Sequence, residues 1–527
     1  MSRADLDTPA GDDELDLERH AERGMLASWW AKRRPDAIAV DAPGGARTFR
    51  QLNQRANQLV RALRRRGVRE GDGVALLCGN RVEVAEVVVA AQRAGWRLTP
   101  INTHLTADEA AYILDDCEAV ALVTDTGQAG TAAGAVRRAG ACTVRLAVGG
   151  AVDGFGPYDD ELATEADEDI DDPVLGTSML YTSGTTGRPK GVYRRQPPPS
   201  VLTRANLFGY REGDRHLCTG PLYHAAPLAF SLVIPLTHGC GTVVMERWDA
   251  EEALRLIQQH RITHTHMVAT MFHRLLSLPA PTRERSDVSS LRHVLHGAAP
   301  CPVEVKRRLI EWLGPIVWEY YAATEGTACF VDSEMWLTRP GTVGRPPEGQ
   351  VVVGDEDGAA LPAGTTGLVY LRAPDVGRFE YYKDPGKTAS TYRGDYFTLG
   401  DVGHMDADGY LFLTDRSSNL VISGGVNIYP AEVDAVLIEH PAVGDVATIG
   451  VPDPEWGERV VAVVELQPGL EESAALATEM IEHCRARLAH YKCPQVVEFT
   501  DELPRQENGK IYKRILRDRY RLAAEAD

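Results

Sequence analysis

The chain has 527 residues, of which 44% are hydrophobic and 25% are charged. This composition is that of a globular protein, and it excludes a wholly disordered chain, a collagen-like repeat and a small disulfide-stapled scaffold. Lysine and arginine number 56 against 75 acidic residues, which leaves a formal net charge of -19 at pH 7. Because the basic residues are scattered among acidic ones, the chain lacks the segregated basic face that a nucleic-acid binder needs. We therefore expect a protein that acts on small molecules.

The nine cysteines form no Cys-x-x-Cys pair and show no spacing typical of zinc ligands. We interpret them as free thiols in a reducing compartment and predict a cytoplasmic protein. The first 24 residues are acidic and contain no apolar core of signal-peptide length. We also expect no transmembrane helix, because no apolar run reaches the length of about 18 residues that spanning a bilayer requires.

The first part of the chain alternates amphipathic segments with short apolar runs. Residues 51–66 carry apolar side chains at helical spacing, and residues 73–78 are typical of a buried strand. Thr106 and Glu109 form a capping-box pattern that predicts the start of another helix, and residues 119–124 predict a further strand. This order favours parallel sheets that are covered by helices.

An acidic run, residues 159–172, follows a stretch of small residues. We interpret it as a solvated surface segment, which is the usual role of such a charge run. A further alternation of helices and strands is expected over residues 203–372.

The sequence changes in character near Asp415. Pro430 marks a helix start, and the following residues contain β runs at 443–451 and 460–466 and one further predicted helix. We therefore predict a small α+β domain after a boundary near Arg416.

The most informative segment is YTSGTTGRPKGV at 181–192, which follows a short apolar run at 178–180 that predicts a strand. Gly184 and Gly187, with the hydroxyl groups between Thr182 and Thr186, form a loop whose N–H and O–H groups can surround phosphate oxygens, and Lys190 adds a positive charge. The segment differs from the GxxxxGK[ST] loop of common nucleotide hydrolases and kinases, because Gly191 follows Lys190 where a Mg²⁺-binding hydroxyl is usual.

This string is similar to the phosphate-binding signature of the adenylate-forming superfamily, which includes acyl-CoA synthetases, nonribosomal adenylation domains and firefly luciferase. Seven further motifs follow in the order of that family: PLYHA at 221–225, HGAAP at 296–300, YYAATEG at 320–326, YRGDYFTLGDVG at 392–403, LTDR at 413–416, GGVNIYP at 424–430 and PRQENGK at 504–510. The resemblance covers nearly the whole chain.

The resemblance implies an α/β fold in two domains. The large N-terminal domain, residues 1–416, would be multi-lobed with helix-covered β-sheets and would bind ATP and the acid. The small C-terminal α+β domain, residues 417–527, would be mobile and carry the catalytic lysine. In the family the hinge lies two residues after Arg416 and is usually Asp or Lys, so Ser418 is a departure.

The same resemblance implies a nucleotide site. Tyr321 would stack on adenine, Thr324 would contact the α-phosphate, and Glu325 would help to hold Mg²⁺. Asp401 would accept hydrogen bonds from the ribose hydroxyls, with Arg416 nearby; a carboxylate suits vicinal hydroxyls because it only accepts hydrogen bonds. The remaining candidate nucleotide-binding residues lie in the phosphate-loop and HGAAP motifs: Thr182, Ser183, Gly184, Thr185, Thr186, Gly187, Lys190, Gly297, Ala298 and Ala299.

Lys510 corresponds to the catalytic lysine of the family and would offset the charge that develops as the carboxylate attacks the α-phosphorus. Thr324, Glu325 and His224 are the other candidate catalytic residues. In a second step the small domain would rotate, with Gly424 and Gly425 lining a tunnel for the thiol of coenzyme A.

These features predict ATP-dependent activation of a carboxylic acid, pyrophosphate release and transfer of the acyl group to coenzyme A. A mostly apolar pocket around His224, residues 268–271, residues 297–299 and Tyr320 suits an aryl, fatty or polycyclic acid, and the neutral His224 disfavours an α-amino acid. The main alternative is an amide-forming ligase that passes the same adenylate to an amine. A non-catalytic nucleotide-binding descendant is a further alternative, disfavoured by Lys510, Glu325, Thr324 and Asp401.

Overall fold

The structure is a computed structural model that describes residues 12–182, 189–196, 206–423, 426–453, 456–505 and 511–526. The chain divides into two compact units. The first unit comprises Met1–His266, Arg283–His293 and Pro374–Thr388, and the second comprises Met267–Thr282, Val294–Ala373 and Ala389–Asp527.

Helices and strands alternate through the described residues. The helices are α1 (Asp12–Glu22), α2 (Leu26–Arg33), α3 (Phe49–Arg65), α4 (Val82–Ala94), α5 (Ala107–Asp116), α6 (Ala129–Arg138), α7 (Tyr158–Ala163), α8 (Ala225–Leu228), α9 (Ile234–Thr237), α10 (Ala250–His260), α11 (Ala269–Ser277), α12 (Ala280–Arg285), α13 (Val303–Leu313), α14 (Ser333–Thr338), α15 (Pro385–Thr391), α16 (Pro430–Leu437), α17 (Ala474–Arg485) and α18 (Lys513–Ala526). The strands are β1 (Ile38–Ala42), β2 (Gly45–Thr48), β3 (Gly73–Leu77), β4 (Arg97–Pro100), β5 (Ala119–Asp125), β6 (Val144–Val148), β7 (Gly156–Pro157), β8 (Thr177–Ser178), β9 (Leu180–Thr182), β10 (Lys190–Tyr193), β11 (Arg215–Cys218), β12 (Gly241–Val244), β13 (His264–Met267), β14 (His293–His296), β15 (Val317–Ala323), β16 (Gly326–Val331), β17 (Thr342–Gly344), β18 (Val351–Gly354), β19 (Gly367–Arg372), β20 (Glu380–Tyr381), β21 (Tyr392–Arg393), β22 (Tyr396–Met405), β23 (Leu411–Arg416), β24 (Val421–Ser423), β25 (Val426–Ile428), β26 (Val443–Asp453), β27 (Gly457–Leu466) and β28 (Val496–Thr500).

The first unit contains a parallel six-stranded sheet of order β7-β6-β5-β3-β4-β8. Both faces of its central strand are buried: Val74 and Leu76 pack with residues of α3 and α4, whereas Ala75 and Leu77 pack with residues of α5 and α6. The sequence of a strand that is covered on both faces is a continuous apolar run, and this is the pattern from which residues 73–78 were predicted to form a buried strand. The predicted parallel sheet covered by helices is confirmed.

Capping residues set the start of two of these helices. The Thr106 side chain accepts from the backbone N–H of Glu109, and the Glu109 carboxylate accepts from the backbone N–H of Thr106, which confirms the predicted capping box. Thr48 and Gln51 form the same arrangement at α3, so this helix begins two residues earlier than the apolar pattern indicated.

The acidic segment, residues 159–172, lies at the surface as predicted, with exposed side chains such as Asp159 and Asp172, and it also makes contacts with a helix that the sequence did not indicate. It packs along the basic face of α3 through a series of ion pairs and hydrogen bonds, among them Arg55–Asp159, Arg66–Glu161, Arg65–Glu165, Gln54–Asp167, Asn53–Asp169 and Arg64–Asp172. Arg61 donates to backbone carbonyls of Ala166 and Glu168 at 3.0 and 2.7 Å. The sequence did not indicate these contacts, because the basic partners lie about a hundred residues earlier in the chain and become neighbours only when the helix docks.

Two other groups of strands belong to the first unit. Strands β13, β11, β12 and β1 pair in parallel in that order, and β2 continues antiparallel to β1. Strands β9, β10 and β20 form a small antiparallel sheet.

The second unit contains three sheets. Strands β14 and β15 pair in parallel and β15 and β16 antiparallel. Strands β17, β23, β22, β19 and β18 form an antiparallel sheet, which β21 joins through β22.

The third sheet, of order β25-β24-β27-β26 with β28 on β27, belongs to the C-terminal part of the chain. Residues of α16 and α17 pack on one face of it, and Leu503 and Leu516 pack on the other. The predicted α+β character of this part is confirmed, but two helices follow α16 where the sequence predicted one. The boundary at residues 416 and 417 remains a prediction; β23 ends at Arg416 and a 3₁₀ turn, Ser417–Asn419, follows.

In the part of the chain that the structure describes, none of the helices combines the length and the apolar character needed to cross a bilayer.

Candidate active site

A buried hydrogen-bonded network joins three of the predicted nucleotide-binding residues. The Tyr321 hydroxyl donates to Asp401 Oδ2 at 2.7 Å, and Arg416 Nε donates to Asp401 Oδ1 at 2.8 Å. Strand register brings the carboxylate and the guanidinium together, because Asp401 on β22 is the antiparallel partner of Arg416 on β23. Tyr321 and Asp401 are 8% and 7% exposed, whereas the Arg416 side chain is 42% exposed, so the hydroxyl and the carboxylate are shielded from water but the guanidinium is not.

Burial and neighbouring charges shift the pKa values of Tyr321 and Arg416. Burial and the neighbouring Asp401 carboxylate raise the pKa of Tyr321 well above its ordinary value, so the hydroxyl stays protonated and donates. Burial opposes the charge of Arg416, but Asp401 outweighs burial and raises the pKa of the guanidinium. Each carboxylate oxygen of Asp401 retains acceptor capacity beyond its bond to protein. The group can therefore accept further hydrogen bonds from hydroxyls of a ligand.

Thr324 and Glu325 lie in the tight connection between β15 and β16, where Ala323 pairs with Gly326. Glu325 is 5% exposed. Gly326 is required next to it, because a Cβ there would lie 2.9 Å from Cζ of Phe397. The connection therefore presents a hydroxyl and a shielded carboxylate directly after the strand that carries Tyr321.

The predicted HGAAP motif forms the turn after β14. A Cβ on Gly297 would lie 2.5 Å from Cζ of Tyr320, so the ring of Tyr320 packs directly on the Gly297 backbone. Ala298 has a φ of +67°, which is unusual for a residue with a side chain. Such strain persists where the surrounding structure holds the backbone, and it is frequent at functional sites. Ala299 follows in the same turn.

Lys306, Glu319 and His296 form a buried polar cluster next to β14 and β15, which the sequence did not indicate. Lys306 Nζ is 2.7 Å from Glu319 Oε2, and His296 Nε2 is 3.5 Å from the same oxygen. Burial raises the pKa of Glu319, against the opposing effect of Lys306. The only sequence signal was a glutamate in an otherwise apolar strand directly before Tyr320 and Tyr321.

In the first unit, Thr182 and Lys190 are register partners on β9 and β10. Lys190 Nζ lies 2.9 Å from Asp384 Oδ2 and 5.8 Å from the centroid of the Tyr381 ring. Asp384 also caps α15, because its Oδ1 accepts from the backbone N–H of Lys387 at 2.9 Å. Asp384 was not predicted, although an Asp before Pro385 at a helix start is a capping signal.

His224, the remaining described candidate, also belongs to the first unit and occupies the N-cap position of α8. The ring of Tyr223 lies 4.6 Å from the imidazole ring, measured between centroids. A π-helical stretch, Ala229–Val233, continues α8 toward α9. Such stretches often occur near functional sites.

The other predicted site residues lie outside the described residues: Ser183, Gly184, Thr185, Thr186, Gly187, Gly424, Gly425 and Lys510. Of the described candidates, the structure joins Tyr321, Asp401 and Arg416 by hydrogen bonds. Within the described residues, no group of three or more His, Cys, Asp or Glu side chains is placed to hold a metal ion.

Comparison with known proteins gives a consistent result. Residues 27–382 match the family described as AMP-binding enzyme, and residues 432–510 match the AMP-binding enzyme C-terminal domain. The chain is 35% identical to a feruloyl-CoA synthase of an Amycolatopsis species over 94% of this chain and 99% of that protein. It is 34% identical to a 2-succinylbenzoate–CoA ligase of Geobacillus kaustophilus, over 93% and 97% of the two chains.

Solved structures give the same picture. An anthranilate CoA ligase in complex with anthranoyl-AMP superposes with a TM-score of 0.86 at 27% identity, covering 96% of this chain and 98% of that one. An amide bond synthetase from Marinactinospora thermotolerans superposes with a TM-score of 0.79 at 26% identity, covering 95% and 100% of the two chains. The two family matches, the full-length relatives and the fold agree with the motifs in the sequence. The chain therefore belongs to the AMP-binding enzyme family, among its adenylate-forming, AMP-forming acyl-CoA ligases.

Proposed function

We propose that this acyl-CoA ligase activates an aromatic carboxylic acid, through the residue roles that its motifs predict. The observation that carries the proposal is the buried network of Tyr321, Asp401 and Arg416. Its carboxylate is held by two hydrogen bonds and retains acceptor capacity, which suits the two vicinal hydroxyls of a ribose.

The nucleotide would lie with its adenine on the Tyr321 ring and its ribose hydroxyls on Asp401. Thr324 follows Tyr321 by three residues and would donate its hydroxyl to the α-phosphate. Lys190 and the hydroxyl-rich loop that starts at Thr182 would hold the β- and γ-phosphates. Gly297, Ala298 and Ala299 would line the nucleotide from the turn after β14.

In the first half-reaction, a carboxylate oxygen of the acid forms a bond to the α-phosphorus of ATP, and the bond from that phosphorus to the pyrophosphate oxygen breaks. Lys510 would offset the negative charge that accumulates as these two anions approach. In the second half-reaction, the thiol sulfur of coenzyme A bonds to the acyl carbon, AMP leaves and the thiol proton passes to solvent. Gly424 and Gly425 would line the path of the thiol.

Mg²⁺ fits the residues present. Mg²⁺ is usually bound by one or two protein carboxylates together with substrate phosphates and water, so an all-protein cage is not required. The shielded carboxylate of Glu325 next to Thr324 supplies such a ligand. When bound there, the ion would neutralise phosphate charge during adenylate formation.

The packing around Tyr320 and the names of the relatives favour an aromatic acid among the aryl, fatty and polycyclic candidates. Tyr320 is 4% exposed and lies on the Gly297 backbone, so a bulky ring occupies this position of the second unit. Val268 and Met271 of the same unit are also buried. The relatives are named for feruloyl, 2-succinylbenzoate and anthranilate substrates, each of which contains an aromatic ring. His224 is a further candidate for the acid site on the basis of its motif.

An amide-forming ligase is the second candidate, because the amide bond synthetase shares the fold over nearly the whole chain. We propose coenzyme A as the acceptor, since both curated relatives are CoA ligases at higher identity. We also propose a cytoplasmic location, which the nine free cysteines support because free thiols persist in a reducing compartment.

The decisive experiment incubates the protein with ATP, Mg²⁺ and separate hydroxycinnamic, benzoic, fatty and steroid acids, with either coenzyme A or simple amines. Mass spectrometry is expected to detect aryl-CoA thioesters together with AMP and pyrophosphate. Thioesters of fatty or steroid acids alone would overturn the aromatic assignment, and amides without thioesters would establish the second candidate.

A Lys510→Ala variant tests the two-step assignment separately. Acid-dependent pyrophosphate exchange is expected to be lost, while thioester formation from a supplied acyl-adenylate is retained. Lys492→Ala is the matched control in the same part of the chain, because Lys492 pairs with Glu432 away from the PRQENGK motif. Equal loss of both half-reactions in Lys510→Ala would contradict the assignment.

A further inference from the structure

The fold holds the backbone on both sides of residues 506–510, the part of the PRQENGK motif that ends at Lys510. Arg505 and Ile511 form an antiparallel β-bridge. The backbone N–H of Tyr512 donates to the carbonyl of Pro504 at 2.8 Å. The residues that flank the segment are therefore adjacent in space and hydrogen-bonded to each other.

Two ion pairs fix these flanking residues to the rest of the domain. Arg505 Nη2 contacts Asp445 Oδ2, and the two side chains are 13% and 18% exposed. Lys513 Nζ lies 2.6 Å from Asp434 Oδ2, and these side chains are 15% and 21% exposed. One pair thus precedes the segment and the other follows it, and both are largely shielded from water.

Both carboxylates are tied to the same strand. Asp445 lies on β26 itself, whereas Asp434 lies on α16 and its Oδ1 accepts from the backbone N–H of Thr448 on β26 at 2.6 Å. Asp434 and Asp445 therefore place Lys513 and Arg505 relative to a single long strand. A rigid strand is a better reference than a loop for a side chain that must meet a substrate with small error.

Packing of apolar side chains holds this domain together independently of the ion pairs. Leu503 and Leu516 are fully or almost fully buried against β26 and β27, and Ile511 packs on the same cluster. We therefore expect the domain core to stay packed when one ion pair is lost. The ion pairs additionally hold Arg505, which precedes residues 506–510, and Lys513, which follows them.

We propose that Asp434 and Asp445 are positioning residues for the adenylation half-reaction, because they hold the backbone on both sides of Lys510. This inference rests on the proposed role of Lys510 in that half-reaction. Displacing a catalytic group by about 1 Å costs about a hundredfold in rate, so a small change at either flank has a large effect on adenylation. Lys510 has no part in thioester formation, which should therefore be spared.

The test uses Asp434→Asn and Asp445→Asn, which remove charge and keep size. Pyrophosphate exchange with the best acid is expected to fall by about tenfold or more, while thioester formation from supplied acyl-adenylate stays within about twofold. Glu432→Gln is the matched control: it lies on the same helix and loses an ion pair with Lys492, but it contacts neither flank of the segment. Both half-reactions of this control are expected to remain unchanged.

Lys510→Ala, measured in parallel, separates this inference from the proposed function. If Lys510→Ala keeps pyrophosphate exchange, the proposed function fails. If it loses exchange while Asp434→Asn and Asp445→Asn keep it, only the positioning inference is overturned. Equal loss of both half-reactions in the Asn variants, at an unchanged melting temperature, also overturns it.

Where an Asn variant does not fold, Asp434→Glu and Asp445→Glu carry the same test. They keep the charge and lengthen the side chain by one methylene, which shifts the ion pair without leaving an unpaired cation. Selective loss of pyrophosphate exchange supports the proposal, and unchanged exchange overturns it.

Discussion

Lys190 Nζ lies 2.9 Å from Asp384 Oδ2, although 194 residues separate the two in sequence. Pairing of β10 with β20 brings them together, and the backbone N–H of Lys387, followed by Lys190, lowers the pKa of the Asp384 carboxyl. Lys190 is the cation that we propose for phosphate binding. If Lys190 has this role, Asp384 competes with the phosphates for the same ammonium group.

Replacing Asp384 with Asn is expected to lower the KM for ATP. The amide can still cap α15, but it no longer neutralises Lys190. Since the Asp384 side chain is 41% exposed, the pair is screened by water and the expected effect is modest, about two- to fivefold. Steady-state kinetics with ATP as the varied substrate measures it. Glu380→Gln, which loses the pair between Glu380 on β20 and Arg195 just after β10, is the control, and an ATP KM that rises in Asp384→Asn would contradict the competition.

Asp401→Asn tests ribose recognition. The amide presents a donor where the carboxylate accepted, so kcat/KM for ATP is expected to fall by about tenfold or more. The variant should also discriminate poorly between ATP and 2′,3′-dideoxy-ATP, because the group that reads the hydroxyls is gone. Tyr321→Phe keeps the ring and the carboxylate and should retain the discrimination. A preference for ATP that survives in Asp401→Asn would remove Asp401 from this role.

Buried histidines make the protein sensitive to acid. Burial lowers the pKa of His264 and of His266 to about 4 and that of His293 to about 3, so these side chains are neutral in the folded state. An unfolded chain binds the protons at a pKa of about 6.5, and so the folded state loses stability as the pH falls from about 6.5 toward about 4. Chemical denaturation at a series of pH values measures this loss.

His266→Phe is expected to weaken that pH dependence. His266 stacks on Phe230, with ring centroids 5.7 Å apart, and burial alone lowers its pKa. Removing one such group reduces the slope by up to about 1.4 kcal/mol per pH unit between pH 6.5 and 4. His490→Gln, which changes an exposed histidine, is the control for the loss of an imidazole. An unchanged slope in His266→Phe would mean that His266 is protonated in the folded state.

Asp169 anchors the acidic segment to α3, and Asp169→Ala is expected to destabilise the protein. Burial disfavours its charge, but hydrogen bonds from Ser28, Asn53 and Asn57 outweigh burial and lower the pKa of Asp169 to about 2. Loss of the acceptor leaves buried donors unsatisfied, at a cost of about 1–3 kcal/mol in the free energy of unfolding. Urea denaturation near neutral pH measures the change, with the exposed Asp171→Ala as control. The contribution is present above about pH 3.8 and is lost as the pH falls through about 2, so equal stabilities of the two variants at neutral pH would refute it.

Local patterns predicted much of the fold. Helix α3, strands β3 and β5 and the capping box of Thr106 and Glu109 were visible in the sequence, since apolar period and capping chemistry act within a few residues. The sequence predicted one helix after α16, whereas the structure has two, α17 and α18. Helix α18 is a basic amphipathic segment, and its apolar face becomes evident only from the strands it covers.

The identity of the nucleotide-site candidates was likewise readable in advance, because each lies in a motif of the family. The hydrogen bonds between them were not: Tyr321 and Asp401 are separated by 80 residues, and only the antiparallel register of β22 and β23 sets Asp401 opposite Arg416. Asp384, Glu319 and Lys306 belong to no motif and became candidates only through their contacts.

The sequence by itself determined that this is an acidic, adenylate-forming α/β enzyme and which residues are the candidates for its chemistry, because motif order and local periodicity are properties of the chain. Only the tertiary structure decided which charged residues form ion pairs with each other. It placed the surface-exposed acidic run of 159–172 along the basic face of α3, and it paired Lys190 with Asp384. The physical reason is that an ion pair depends on distance in space, and strand pairing and helix docking set that distance between residues far apart in sequence.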